Sequence, residues 1–189
     1  MGECDMKLFI ASDLHGSAYF CKLLVEHFRE SGATHMLLLG DILYHGPRNA
    51  LPRDYAPAEV ASLLNEEASK IIAVRGNCDA EVDTLMLHFP IMASYAVIYD
   101  GKRVMYAVHG HANDPSLVPE PQPGTVLLFG HTHVPECTER EGVLYINPGS
   151  VSIPKSDSEN SYIIYEDGTF TWRRVCDGSV SREHKLADL

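Results

Sequence analysis

The chain has 189 residues, enough for one domain with a substantial core. Apolar residues make up 45% and charged residues 22%, ordinary globular usage that excludes wholesale disorder and fibrous classes. Lys and Arg number 15 against 26 Asp and Glu, a formal charge of −11, so the chain lacks the cationic footprint that nucleic-acid backbones and anionic membranes attract.

In chain order, the acidic start through Glu3 and Asp5 is not expected to act as a signal peptide. No apolar run approaches the ~20 residues of a spanning helix. Lys7 to Ser12 reads as a short buried strand. Ser17 to Glu30 carries Phe20, Leu23, Leu24 and Phe28 at helical spacing, with Gly32 as its stop. His35 to Leu39 is a second strand. Tyr44 to Pro57, with three prolines, is a loop. Pro57 then opens a helix expected to reach about Ser69, and Ile71 to Val74 is a third strand. This βαβαβ order predicts a sheet with helices packed on it. Beyond residue 90 the pattern becomes strand-rich. Tyr95–Tyr99 and Val104–Val108 flank the hairpin signal Asp100-Gly101. Val126–Phe129, Val143–Ile146, Tyr162–Tyr165 and Thr169–Val175 follow. One domain spanning residues 1–189 is expected, with a core over about 6–176 and a frayed tail over 177–189. The five cysteines (Cys4, Cys21, Cys78, Cys137, Cys176) are odd in number and scattered. They argue against a disulfide scaffold or zinc knuckle and for a reduced, cytoplasmic protein.

Metal-capable side chains follow strand after strand: Asp13 and His15, Asp41, Asn77, His109 and His111, His131 and His133. Ligands of such sheets gather outside the carboxyl ends of the strands. Asp13 with His15, and His131 with His133, are two residues apart, so if extended each pair points one way. Oxygen and imidazole donors without thiolate suit Mn, Fe, Zn, Co or Ni. Without His111, seven donors still exceed one tetrahedral site, and two ions bridged by Asp41 use them better, the usual device for displacement at phosphorus.

The series Asp13-x-His15, Gly40-Asp41, Gly76-Asn77, His109-Gly110-His111 and Gly130-His131-Thr132-His133 resembles the calcineurin-like metallophosphoesterase superfamily. Within it, stretches such as HGPRNALP, AVRGNCD and NPGSVSIPK resemble the bacterial YfcE-type phosphodiesterases over most of residues 6–155. The resemblance implies an α/β four-layer sandwich of two mixed β-sheets flanked by helices. It implies one ion on Asp13, His15, Asp41 and His133, and a second on Asp41, Asn77, His109 and His131. The two divalent ions are expected to be Mn, with Zn, Fe, Co and Ni as alternatives. The implied activity is phosphodiester hydrolysis by a metal-bridging hydroxide on a small substrate, with Asp41, Asn77 and His111 in catalytic roles. His111 stands either behind the ligands or facing the phosphate. Relatives also imply a homo-oligomer, although no apolar stripe identifies its interface.

Blander readings stand beside these. Arg48 and Asn49 belong either to a solvated loop or to a phosphate clamp. Cys78 reads as filler beside a ligand, with a weaker reading as a substrate contact. Asp79 is expected to cap a helix over Ala80–Leu87, with support of His109 as the sharper option. Asn147-Pro148-Gly149-Ser150 reads as a turn, with a place at the border of the site as the sharper option. Many relatives carry His and Asp, a proton-donating pair, where this chain has Cys78 and Tyr44. Two rivals remain: a metal-dependent nuclease, against which the acidic balance weighs, and a non-catalytic scaffold resembling the small retromer subunit. That scaffold's pattern departs at the positions of Asp41 and Asn77, both intact here.

Overall fold

The computed structural model of the protein describes residues 6–111 and 120–187. Cys4 lies outside them; the other four cysteines are free. Two mixed sheets face each other. The first has the order β11-β10-β9-β1-β2-β3 and the second β4-β5-β6-β8-β7. In the first sheet, β1 (Leu8–Ala11), β2 (His35–Leu38) and β3 (Ile71–Ala73) are parallel. β9 (Ser161–Glu166) joins β1 antiparallel, and β10 (Thr169–Arg174) and β11 (Val180–Lys185) follow it, each antiparallel to the strand before. In the second sheet, β5 (Val104–Ala107), β6 (Val126–Leu128) and β8 (Val143–Asn147) are parallel. β4 (Ala96–Tyr99) and β7 (Glu136–Arg140) form its antiparallel edges.

Strand alternation builds the layers. Leu8 and Ile10 of β1 point into the space between the sheets with Leu37, Met105, Val126, Leu128, Ile146, Phe170 and Trp172. Phe9 and Ala11 point the other way, onto α1 (Ala18–Ser31) and α2 (Pro57–Asn65). All these side chains are buried, so both faces of the central strand exclude water, as parallel strands require. Both α-helices cover the first sheet; among the described residues no α-helix covers the second.

The helix ends follow their chemistry. Ser17 caps α1, its hydroxyl accepting the Phe20 amide at 3.4 Å, and Gly32 ends the helix at φ 71°. α2 starts at Pro57 as expected but stops at Asn65, short of Ser69. There Glu67 turns inward to bind Arg29 at 2.7 Å and Lys70 at 3.0 Å.

Three expectations need correction. No α-helix forms over Ala80–Leu87; Glu81–Leu85 is a 3-10 turn whose first amide, Ala80 N–H, is held by Asp83 and not by Asp79. The stretch from 177 to 187 is not frayed: Val180–Lys185 pairs along β10, with the Arg182 guanidinium 5.2 Å from the Trp172 ring centre. β7 was not expected either. Its sequence, Glu-Cys-Thr-Glu-Arg, has no apolar alternation, and its pairing comes from a tight turn at Glu141 (φ 51°) and Gly142 (φ 77°).

Candidate metal centre

The carboxyl ends of β1, β2 and β3 meet those of β5 and β6 at one edge of the sandwich. Asp13 and His15 leave β1, Asp41 leaves β2, Asn77 leaves β3, His109 leaves β5, and His131 and His133 leave β6. The two-apart pairs are not extended. Asp13 (φ 58°), His15 (48°), Asp41 (56°), His131 (65°) and His133 (62°) all have left-handed backbones. The segments interlock: the Asp13 amide donates to Gly40 O at 3.1 Å, His15 N–H to Asp41 O at 2.9 Å and Gly130 N–H to His109 O at 3.0 Å. These bonds hold conformations that side-chain-bearing residues otherwise avoid. Glycine permits the close approach. A Cβ on Gly76 would lie 2.1 Å from Asp41 Oδ1, and one on Gly130 would lie 2.0 Å from Ser12 Oγ.

The side chains converge. Asp13 Oδ1 lies 3.3 Å from His133 Nε2 and 3.6 Å from His15 Nε2. Those two Nε2 atoms are 3.2 Å apart. Asp41 Oδ2 lies 3.7 Å from His15 Nε2 on one side and 3.5 Å from His109 Nε2 on the other. Asn77 Oδ1 is 3.1 Å from His109 Nε2. Asp13, His15, Asp41, His109 and His133 are all buried.

The outer ring nitrogens fix the tautomers. His15 Nδ1 reaches Tyr44 O at 2.8 Å, His109 Nδ1 reaches Leu39 O at 2.6 Å, and His133 Nδ1 reaches Ile153 O at 2.6 Å. A carbonyl only accepts, so each Nδ1 donates, and each ring in its neutral form would turn an Nε2 lone pair into the centre, as metal-binding histidines do. Asp13 Oδ1 is buried without a hydrogen-bond partner, while Oδ2 accepts the His131 amide at 3.0 Å. An orphaned carboxylate oxygen among inward imidazole lone pairs fits a cation.

Electrostatics agree. Burial alone would raise the Asp13 carboxyl, but the close His133 and His15 rings and nearby imidazole charge hold it far below the usual carboxylate range. Burial would lower His109, yet its bond to Asp41 and the charges of Asp13 and Asp41 push it up to about 9. The cluster thus attracts positive charge.

His131 and His111 stand beside this group without joining its closest triads. The His131 ring centre is 5.1 Å from His109's, and His111's is 5.3 Å from His109's and 6.2 Å from His131's. Burial, then the His109 charge, lowers both below the usual imidazole value. Cys78 Sγ lies within reach of His15 and Asp41. Burial and the Asp41 charge push the thiol up to about 12, so it is protonated in the bare protein.

A cavity of about 330 Å³ opens from the centre, lined by Asp41, Asn77, Cys78, His131, His133, Arg48, Asn49 and Lys155. Asn49 is partly structural, its amide donating to His45 O at 2.9 Å. A larger hollow of about 650 Å³ lies elsewhere, between α1 and the outer faces of β9 and β10. Its Lys7 is already paired with Glu166 at 2.9 Å, and no donor set converges there.

Several supporting residues have partners that the sequence did not indicate. Asp79, far from capping a helix, accepts the amides of Asp41 (2.9 Å), Ile42 (2.8 Å) and Gly76 (2.7 Å). It clamps the two loops carrying Asp41 and Asn77, and its contacts are with Asp41's loop rather than with His109. Asn147 donates to Gly130 O at 2.8 Å and Thr132 Oγ1 at 3.1 Å, and its own carbonyl accepts the Trp172 indole N–H at 2.9 Å. Ser150 Oγ donates to Asp13 O at 2.8 Å. The Asn147–Ser150 turn is therefore a brace beneath the ligand loops.

Known proteins share this arrangement. The description "Calcineurin-like phosphoesterase superfamily domain" matches residues 6–168. Phosphodiesterase YfcE of Escherichia coli K12 is 46% identical over 175 residues, 93% of this chain and 95% of that protein. The solved structure of YfcE, a phosphoesterase from E. coli, superposes with a TM-score of 0.90 at 44% identity, covering 96% of this chain and all of that one. Vps29 of Entamoeba histolytica, solved in complex with zinc, shares the fold at a TM-score of 0.63 and 20% identity, covering 95% of this chain and 98% of that one.

Proposed function

Because this chain belongs to the calcineurin-like phosphoesterase superfamily and is a phosphodiesterase of that family, we propose that it works on small phosphodiesters through two divalent ions. Asp13, His15, Asp41 and His133 would hold one ion, and Asp41, Asn77, His109 and His131 the other. The observation that carries this reading is the orphaned Asp13 Oδ1 facing the inward Nε2 atoms of His15 and His133. Ions there supply Lewis acidity, which acidifies water and offsets charge at phosphorus.

The chain's own residues do the rest. Asp41 ties the two ligand groups together, and Asp79 keeps its backbone in place. His111, exposed beside His109, is kept neutral near pH 7 and is the ring free to face a phosphate oxygen. Protonated Cys78 lines the cavity without supplying an efficient acid. Mixed carboxylate, amide and imidazole donors support Mn²⁺ over Mg²⁺, which prefers oxygen and keeps its waters. The four free cysteines support a cytoplasmic setting. The intact donor set favours the enzyme over a scaffold.

The test is metal stripping followed by metal analysis and assay with a chromogenic diester. Two ions per chain with activity restored best by Mn²⁺, Co²⁺ or Ni²⁺ support the reading. One ion at saturation, or full activity in Mg²⁺ alone, rejects it.

A further inference from the structure

The cavity above the metal centre is larger than one phosphate group needs, and its outer part is cationic. Arg48 and Lys155 line it together with the ligands Asp41, Asn77, His131 and His133. They differ from the ligands in depth: Asp41 and His133 are 2% and 3% exposed, whereas Arg48 and Lys155 are exposed at the mouth. The chain carries 26 acidic side chains against 15 Lys and Arg, so its cations are readily neutralised. The lysine and arginine ion pairs among the described residues use Lys7, Arg29, Lys70, Arg140 and Arg174. Arg48 and Lys155 are in none of them.

Lys155 is also held at its root. Its amide donates to the carbonyl of the ligand His133 at 3.2 Å, and Ser158 N–H closes a turn on Lys155 O at 3.1 Å. Ser158 Oγ donates to the same Lys155 carbonyl at 2.6 Å. Ser156 (φ 55°) and Asp157 (φ 58°) give that turn its sharp bend. The backbone is therefore fixed relative to the metal centre, and only the side chain moves. Arg48 stands on a different loop, the one after Asp41, where Gly46 passes close to Cys78: a Cβ on Gly46 would lie 3.1 Å from Cys78 Sγ. Two unpaired cations on separate anchored loops converge on one cavity, outside the buried ligand floor.

We propose that Lys155, with Arg48 facing the same cavity, recognises a second anionic group on the substrate, so that the preferred substrates are phosphodiesters with a further phosphate or carboxylate on one ester arm. This rests on the phosphodiesterase reading and narrows its substrate class. The scissile phosphate belongs with the buried donors. A charge one arm further out reaches the mouth, where exposed cations screened by water give a modest but selective gain.

The probes are the 5′-(p-nitrophenyl phosphate) of thymidine with and without a 3′-phosphate, assayed with Mn²⁺-loaded enzyme at low ionic strength. Wild type is expected to favour the 3′-phosphorylated probe about five- to tenfold in kcat/KM through KM, an advantage that fades with added salt. Lys155→Gln should bring the ratio close to one, and Lys155→Arg should restore it. Calorimetry gives a readout free of turnover: thymidine 3′,5′-bisphosphate should bind wild type tighter than thymidine 5′-phosphate, and Lys155→Gln should remove the difference. Equal kcat/KM for the two probes in wild type overturns the proposal and leaves the phosphodiesterase reading standing. A ratio that survives Lys155→Gln overturns it as well. Hydrolysis of neither probe rejects both.

Discussion

Asp41 is the residue on which the centre turns. Its Oδ2 faces His15 at 3.7 Å and His109 at 3.5 Å, and its Oδ1 accepts the Cys78 amide at 2.8 Å. Asp41→Ala removes the group common to both proposed ligand sets, so under that proposal the rate should fall about a thousandfold or more. A few-fold loss with two ions still bound would reject the shared role. Cys78 makes a second case. A thiol is a weak hydrogen-bond donor, and burial pushes this one up to about 12, so it gives the departing oxygen no strong acid. General acid help is commonly worth about 10²–10⁴-fold and matters most for basic leaving groups. Aryl diesters should therefore turn over well, alkyl diesters poorly, and the rate should drop steeply as leaving-group pKa rises. A shallow dependence across substituted aryl diesters would mean that another residue, with His111 the nearest candidate, supplies the proton.

Among the elements, the β4–β5 hairpin carries its own pH dependence. Asp100 Oδ1 accepts the amides of Lys102 at 2.8 Å and Arg103 at 2.6 Å, and Oδ2 accepts the Tyr165 hydroxyl from β9 of the other sheet. Burial alone would raise this carboxyl, but those hydrogen bonds outweigh it and lower it. A carboxyl with a lowered folded pKa adds stability above its unfolded value of about 3.9 and loses it as pH falls through the folded value. Wild type should therefore exceed Asp100→Asn in urea midpoint near pH 6, with the gap closing below about pH 4. A gap that stays constant over that window would remove the charge argument. This hairpin was legible in the sequence, because Asp100-Gly101 sits between apolar alternations. The converging donors were legible because each follows a strand. β7 and β11 were not, since polar edge strands owe their pairing to neighbours rather than to pattern. Asp79 and Asn147 were not either. Their partners lie 38 residues away at Asp41 and 17 at Gly130, and no local periodicity marks such contacts.

For the whole molecule, the centre joins two halves. Asp13, His15, Asp41 and Asn77 come from the first sheet, and His109, His131 and His133 from the second. A cation bound among them is a cross-link between sheets whose shared core is otherwise apolar. Binding to the folded state alone stabilises by about 2.7 kcal/mol at a hundredfold excess over Kd. For a chain of this size that corresponds to a rise in Tm on the order of 5–10 °C per ion. Scanning calorimetry of stripped and Mn²⁺-loaded protein checks this. Identical melting would mean that the folded chain does not hold the ions.

The left-handed backbones at Asp13, His15, Asp41, His131 and His133 set chemistry against foldability. A side-chain-bearing residue in that region gives up about 1–2 kcal/mol relative to its relaxed conformation. Glycine is free of that penalty but loses more chain entropy on folding. His131, only partly buried, is the position where the exchange is cleanest. Without metal, His131→Gly should be as stable as wild type or up to about 1 kcal/mol more stable, although truncating a half-buried ring ordinarily destabilises. With Mn²⁺ the order should reverse, because wild type gains a ligand that the variant has lost. Denaturant titration of both proteins with and without metal tests that crossing, and parallel curves would show that the backbone at this position is not strained. If the curves do cross, the bare chain is tuned for its loaded state, and histidine persists where folding alone would select glycine.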